Sequence, residues 1–226
     1  MIADRLLYLD DCFACVNKRP TELVEWNESG AHPLAEDLRQ HLQAQGQQDF
    51  VGIVHRLDRP TSGAVLFART EACLKRLNAM LRDGEIGKTY WAVVDGPPPE
   101  PEGRLEHYIL HRREMNKSYA LSEPRSGARP AALTYRLIAE SDRYYLLEIG
   151  LLTGRHHQIR AQLHRIGCHI KGDLKYGFPR SNRGGGIHLH ARRVSLPHPL
   201  SGRPVAIIAP VPEDPLWGFF AATIDS

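Results

Sequence analysis

Apolar residues in this chain come in short runs cut by turn-forming residues, and that rhythm restricts the folds open to it. Residues 6–9 and 13–16 flank Asp10-Asp11 and read as two strands. Val51, Ile53 and Val54 lead into a turn, and residues 64–67 lead out of it as another strand. Residues 88–94, 187–195 and 205–208 have the same character, and residues 135–138 and 144–147 flank Glu140-Ser141-Asp142-Arg143 as a hairpin does. Helical spacing occurs in three places. Leu34, Leu38 and Leu42 follow Pro33 and precede Gly46. Thr70 is placed to cap a second helix, with Glu71 in its first turn, Leu74, Leu77 and Leu81 as its buried stripe and Gly84 as its stop. The third spans about residues 155–166, between Thr153 as cap and Gly167 as terminator, with Ile159, Leu163 and Ile166 on one stripe and His156, Arg160 and His164 on the next. Strands outnumber helices and the helices are irregularly spaced. The expected fold class is therefore α+β, a central mixed, mostly antiparallel sheet with flanking helices. The proline-rich stretch 96–101 is read as a rigid loop inside one domain of residues 1–226.

Composition excludes several classes. No apolar run approaches the ~20 residues of a membrane span, and the first residues lack a signal-peptide plan. A cytoplasmic protein without membrane association is expected. Four cysteines in 226 residues are too few for a disulfide framework. Cys12 and Cys15 form a C-x-x-C without a second pair to complete a zinc site, and are read as small buried hydrophobes. The net charge of +3 conceals an asymmetry: residues 151–193 hold nine Lys/Arg and one acid, Asp173, for +8, leaving −5 elsewhere. Such a basic stretch on an acidic protein fits a polyanionic partner.

Three segments carry chemistry. In 55–63, His55-Arg56-Leu57-Asp58-Arg59-Pro60-Thr61-Ser62-Gly63, one carboxylate stands between two arginines in a turn between strands. A carboxylate beside guanidinium stays ionised at neutral pH, and an ionised carboxylate can attack a sugar carbon or stabilise positive charge there. No second acidic segment of similar quality appears, which argues against ordinary glycoside hydrolysis. Lys88 and Tyr90 lie two apart on one strand face, a cation beside an aromatic suited to a phosphate and a base. The third segment runs Leu151-Leu152-Thr153-Gly154-Arg155-His156-His157-Gln158-Ile159-Arg160. Its adjacent histidines diverge by about 100° on a helix, and no H-E-x-x-H pattern follows, so no metal is expected.

These segments resemble the signatures of the RluA family of RNA pseudouridine synthases. Residues 55–63 resemble HRLDxxTSG, Lys88-Thr89-Tyr90 resembles K-x-Y, and 153–163 resembles TGRxHQIRxHL. Residues 167–177 resemble GHPIxGDxxYG, and Leu189-His190-Ala191 with His198-Pro199 resembles the C-terminal LHA…HP signature. The pieces keep the family's order along nearly the whole chain. The first motif departs: Asn17-Lys18-Arg19-Pro20-Thr21 stands where the family has NKPxG, with an added arginine and no glycine. Because sheet-like sequence begins at Leu6, an S4-type RNA-binding domain is not expected, and RNA affinity would fall chiefly to the +8 stretch.

The resemblance implies a pseudouridine synthase fold with a basic active-site cleft. It implies Asp58, Tyr90 and Arg160 as catalytic residues, with Arg160 forming a salt bridge to Asp58 and Tyr90 stacking on a flipped-out uridine. Arg56 would fill the vacated space in the RNA, Leu151 or Leu152 would pack near the base, and Lys88, Arg155, His157, Arg192 and Arg193 would contact RNA. The expected partner is ribosomal or transfer RNA, the expected state a monomer, and no cofactor is required. Whether Asp58 bonds to the sugar or removes a proton from it stays open. Two other readings remain at this level: an RNA-binding or RNA-folding protein with secondary or no catalysis, and a nucleosidase-like hydrolase, which the basic stretch disfavours.

Overall fold

The computed structural model describes residues 2–26 and 30–225. In chain order the first elements are β1 (Leu6–Leu9), β2 (Phe13–Lys18), α1 (Leu34–Ala44), β3 (Gly52–Ile53), β4 (Ser62–Ala68), α2 (Glu71–Arg82) and β5 (Gly87–Val94). They are followed by β6 (Glu102–Arg112), β7 (Lys117–Leu121), β8 (Ala128–Glu140), β9 (Tyr145–Leu151), α3 (Gln158–Arg165), β10 (Leu189–Pro197), β11 (Pro204–Ile208) and α4 (Pro215–Asp225). Single 3-10 turns occur at Ala3–Arg5, Arg113–Met115 and Leu174–Tyr176. The chain divides into two units, residues 1–87 with 191–212, and residues 88–190 with 213–226.

In the first unit β1 pairs with β2, β2 with β4, β3 with β4 and β10 with β11, each antiparallel. The β2–β4 register sets Phe13 opposite Ala68 and Lys18 opposite Gly63, so Lys18 stands at the mouth of the loop that precedes β4. Every residue of β4 is buried. α2 lies over it through Cys73, Leu77 and Met80, with Leu74 and Leu81 half-buried at the margin. The buried stripe is thus one position away from the Leu74-Leu77-Leu81 reading, because small Cys73 and flexible Met80 suit the tight contact with a β-sheet. Thr70 caps α2 as expected, its Oγ1 accepting the Cys73 N–H at 3.1 Å. α1 has no side-chain cap, and the carbonyls of Leu23 and Val24 accept its first N–H groups instead.

In the second unit β5 pairs with β9, β9 with β8, β8 with β6 and β6 with β7, again antiparallel. α3 packs on this sheet, where Ala161 meets Ile109, Ala131 and Tyr176. It is shorter than the sequence suggests. His157 takes a left-handed conformation (φ 52°), so the helix starts at Gln158. His156 therefore stands outside it and shares no helical stripe with Arg160. Thr153 does not cap it either: its hydroxyl donates to Gln158 Oε1 at 2.7 Å and accepts the Ala132 N–H. Gly167 ends the helix as read, at φ 81°. β6, β7 and α4 are elements for which the sequence carried no expectation.

Candidate active site

Asp58 is half-buried in the loop between β3 and β4. The loop is gripped by its backbone. Lys18, 1% exposed, donates from Nζ to the carbonyls of Arg19 (3.0 Å), Arg59 (3.0 Å) and Thr61 (2.6 Å). The three N–H bonds of an ammonium match three carbonyls. Burial pushes the Lys18 pKa down to about 7, opposed by the charges of Glu22 and Asp58. On the far side, Thr21 N–H donates to Arg59 O at 2.7 Å and Arg59 Nε donates to Thr21 O at 3.1 Å. At its exit, Gly63 has φ 113°, and a Cβ there would sit 2.4 Å from Ala191 O, so the glycine of the TSG triplet is a steric requirement.

The two arginines that flank Asp58 in sequence turn toward the segment between β2 and α1. Arg56 pairs with Glu25, and Arg59 reaches Thr21 O. The altered first motif closes this segment with Thr21 at φ 71°, a left-handed conformation that glycine adopts without strain. Lys18, Glu25 and Thr21 carried no assigned role in the sequence reading. For Lys18 the signal was a lysine closing a strand that begins with four apolar residues.

The remaining expected residues divide between the units. Arg192 and Arg193 belong to the first. Strand alternation separates them: Arg192 Nη1 donates to Ala209 O at 2.6 Å, and Arg193 is exposed. The others belong to the second. Tyr90 is buried in β5 opposite Ile149. Lys88 extends along Gly154, whose Cβ position lies 3.6 Å from Nζ, and burial lowers its pKa. Leu152 is 52% exposed just after β9, an apolar side chain presented to solvent at the motif. Arg155 donates from Nε to Pro130 O at 3.1 Å.

His157 is 8% exposed, its Nδ1 3.0 Å from Tyr176 OH. That hydroxyl also accepts the Ser118 N–H at 2.8 Å and lies 3.1 Å from Ser118 O. Burial first, then the charge of Arg160, pushes the His157 pKa down to about 2. The exposed histidine is His156, stacked on His157 at 3.8 Å and set 3.9 Å from the His111 ring.

Arg160 is buried against Asp173, with Nε to Oδ2 at 2.6 Å and Nη2 to Oδ1 at 2.8 Å. Its guanidinium lies 4.8 Å over the Tyr176 ring. Asp173 had no assigned partner, although its being the one acid of the +8 stretch was a visible signal. Among the described residues no cluster of three His, Cys, Asp or Glu is arranged to hold a metal ion. Cys12 and Cys15 are buried free thiols, as read, and burial pushes the Cys15 thiol up to about 12. Cys12 neighbours the Cys73 thiol. No helix among the described residues is long and apolar enough to cross a membrane.

A family model described as RNA pseudouridylate synthase matches residues 13–165. The chain is 34% identical to an uncharacterized RNA pseudouridine synthase of Synechocystis, covering 92% of this chain and 65% of that protein. It is 32% identical to ribosomal large subunit pseudouridine synthase D of Neisseria meningitidis, covering 92% and 58%. It is 31% identical to tRNA pseudouridine synthase C of Pectobacterium carotovorum, covering 90% and 58%. It thus spans 58–65% of the length of these relatives. Human RNA pseudouridylate synthase domain containing 4 has the same fold, at a TM-score of 0.79 and 20% identity over 99% of this chain and 94% of that one. The chain belongs to the RNA pseudouridylate synthase family, and its α+β fold is that of the pseudouridine synthases.

Proposed function

We propose that this chain isomerises uridine to pseudouridine in ribosomal or transfer RNA. The observation that carries the reading is the Asp58 loop: a single half-buried carboxylate, on a backbone gripped by the buried Lys18 ammonium, inside the segment that matches the family. A rigid loop that presents one carboxylate suits attack at a sugar carbon, where small misplacements are costly. The target uridine leaves the stack, since the ribose C1′ and the base are inaccessible within a helix. Asp58 acts at the ribose, and the N1–C1′ bond breaks. The uracil turns, C5 bonds to C1′, and the C5 hydrogen leaves as a proton. The product is an isomer of the substrate, with no net redox change or hydrolysis, so the chemistry calls for neither cofactor nor metal.

Base stacking by Tyr90, the catalytic part of Arg160, and RNA contacts by Arg56, Lys88, Leu152, Arg155, His157, Arg192 and Arg193 belong to the same proposal. Two of the relatives, a ribosomal large subunit pseudouridine synthase and a tRNA pseudouridine synthase, support both RNA classes as candidates.

The test is tritium release from RNA labelled at uridine C5, with wild type and Asp58→Asn compared. Release is specific to formation of the C5–C1′ bond. We expect release by the wild type and a loss of at least about a thousandfold in the variant, the scale of removing a reacting group. Retained RNA binding with no release from any RNA class would overturn the enzymatic reading in favour of an RNA-binding protein.

A further inference from the structure

The segment between β2 and α1 meets the Asp58 loop at Thr21, and several polar groups of its described residues have structural partners. Thr21 and Arg59 exchange two hydrogen bonds. The Leu23 and Val24 carbonyls accept from the first turn of α1. Glu22 is held by Arg5 at 2.7 and 2.6 Å and by the Arg19 N–H at 2.9 Å. Glu25 differs. It pairs with Arg56, and the two side chains are 40% and 66% exposed. An ion pair so exposed contributes little to folding. A carboxylate also repels a polyanion, so it does not serve RNA affinity. Yet it holds the arginine two residues before Asp58.

We propose that Glu25 is a positioning residue that latches Arg56 beside the Asp58 loop and yields it to RNA only when a phosphate or base replaces the carboxylate. The latch rests on the RNA-binding part of the function proposed above. An exposed pair is weak enough to exchange. An RNA that seats at the loop swaps one acceptor for another at Arg56. An RNA bound elsewhere leaves Arg56 neutralised by Glu25, so that arginine releases no counterion and adds nothing to the affinity. Glu25 thereby lowers indiscriminate binding at the residue adjoining the site.

The experiment is a double-mutant cycle with Glu25→Gln, Arg56→Gln and the combined variant, all in the full chain. Binding of a fluorescein-labelled oligouridine is followed by anisotropy across a salt series, with tritium release measured in parallel. We expect Glu25→Gln to tighten oligouridine binding by about threefold or more and to steepen the slope of log K against log[salt] by about 0.7, the value for one extra contact to a single strand. In the Arg56→Gln background the same change should leave the slope unaltered. An equal effect with and without Arg56 would mean that Glu25 merely repels phosphate, and the latch would be wrong. No effect in either background would overturn it as well. Tritium release by the wild type without a Glu25 effect sinks the latch alone. The cycle signature without any release supports the latch and sinks the enzymatic reading. Absence of oligouridine binding by the wild type sinks the latch, and the enzymatic reading falls with it only when no RNA class releases tritium.

Discussion

Asp58 stood out as a candidate because a carboxylate between two arginines, closed by Pro60 and Gly63, is a poor packing element. What grips it did not stand out. Lys18 is 40 residues away in sequence and acts through carbonyls, which carry no side-chain signature. The arginines show the same limit, since adjacency along the chain does not choose a guanidinium's partner: Arg56 and Arg59 reach Glu25 and Thr21 O. Thr21 shows the reverse case. The missing glycine of the first motif was visible, and the structure supplies the consequence, a β-branched residue at φ 71°. Holding such a residue left-handed costs roughly 1–2 kcal/mol, partly offset in a glycine variant by the freer unfolded chain. Thr21→Gly should therefore stabilise the protein by about 0.5–1 kcal/mol in urea melts. A loss of stability would show that the threonine side chain contributes more than its conformation costs.

At the scale of elements, the start and stop of α2 were legible because both are local, whereas the stripe of α1, Leu34, Leu38 and Leu42, is the one buried as read. The cap of α2 is a single hydrogen bond, Cys73 N–H to Thr70 Oγ1 at 3.1 Å. Thr70→Ala should cost about 1 kcal/mol and Thr70→Ser much less, by denaturant melts. Equal losses in both would place the effect in the threonine methyl. α3 was overextended because periodicity continues through residues whose backbone does not. The left-handed turn at His157 is stabilised by Tyr176 OH, a contact 19 residues distant. β6 escaped notice because histidines occupy part of its inward alternation. His107 lies 3.1 Å from Gln162 Nε2 and the His111 ring is set 3.9 Å from that of His156, so the apolar period is interrupted. α4 did have a local sign. Asp214 precedes Pro215, the usual order of cap and first helical residue, and its Oδ1 accepts the N–H groups of Leu216 and Trp217.

For the molecule as a whole, part of the acid sensitivity follows from buried histidines, His157 in the Tyr176 network and His188, whose pKa burial lowers to about 4. The His157 pKa is held at about 2, well below the ordinary 6.5, so the folded state keeps this ring neutral. Below about pH 6.5 the unfolded chain takes up the proton and the native state does not. The contribution is present in full above pH 6.5 and is lost as pH falls toward 2. His157→Asn, which tolerates the left-handed backbone, should flatten the loss of stability between about pH 6 and pH 4 by up to about 1.4 kcal/mol per pH unit. An unchanged slope in thermal melts would assign acid sensitivity to other groups. By itself the sequence determined the alternation of strands and helices, the N-cap of α2, the family signatures, the concentration of positive charge and the place of Asp58 in a turn between strands, because each is written in neighbours or in composition. Tertiary structure decided the partners: Lys18 for the loop carbonyls, Glu25 for Arg56, Asp173 for Arg160 and Tyr176 for His157. Lys18, Arg160 and His157 are buried, and a buried donor or charge must be satisfied by whatever group the fold brings within about 3 Å; that group, like the exposed partner of Arg56, is chosen by how separate segments pack.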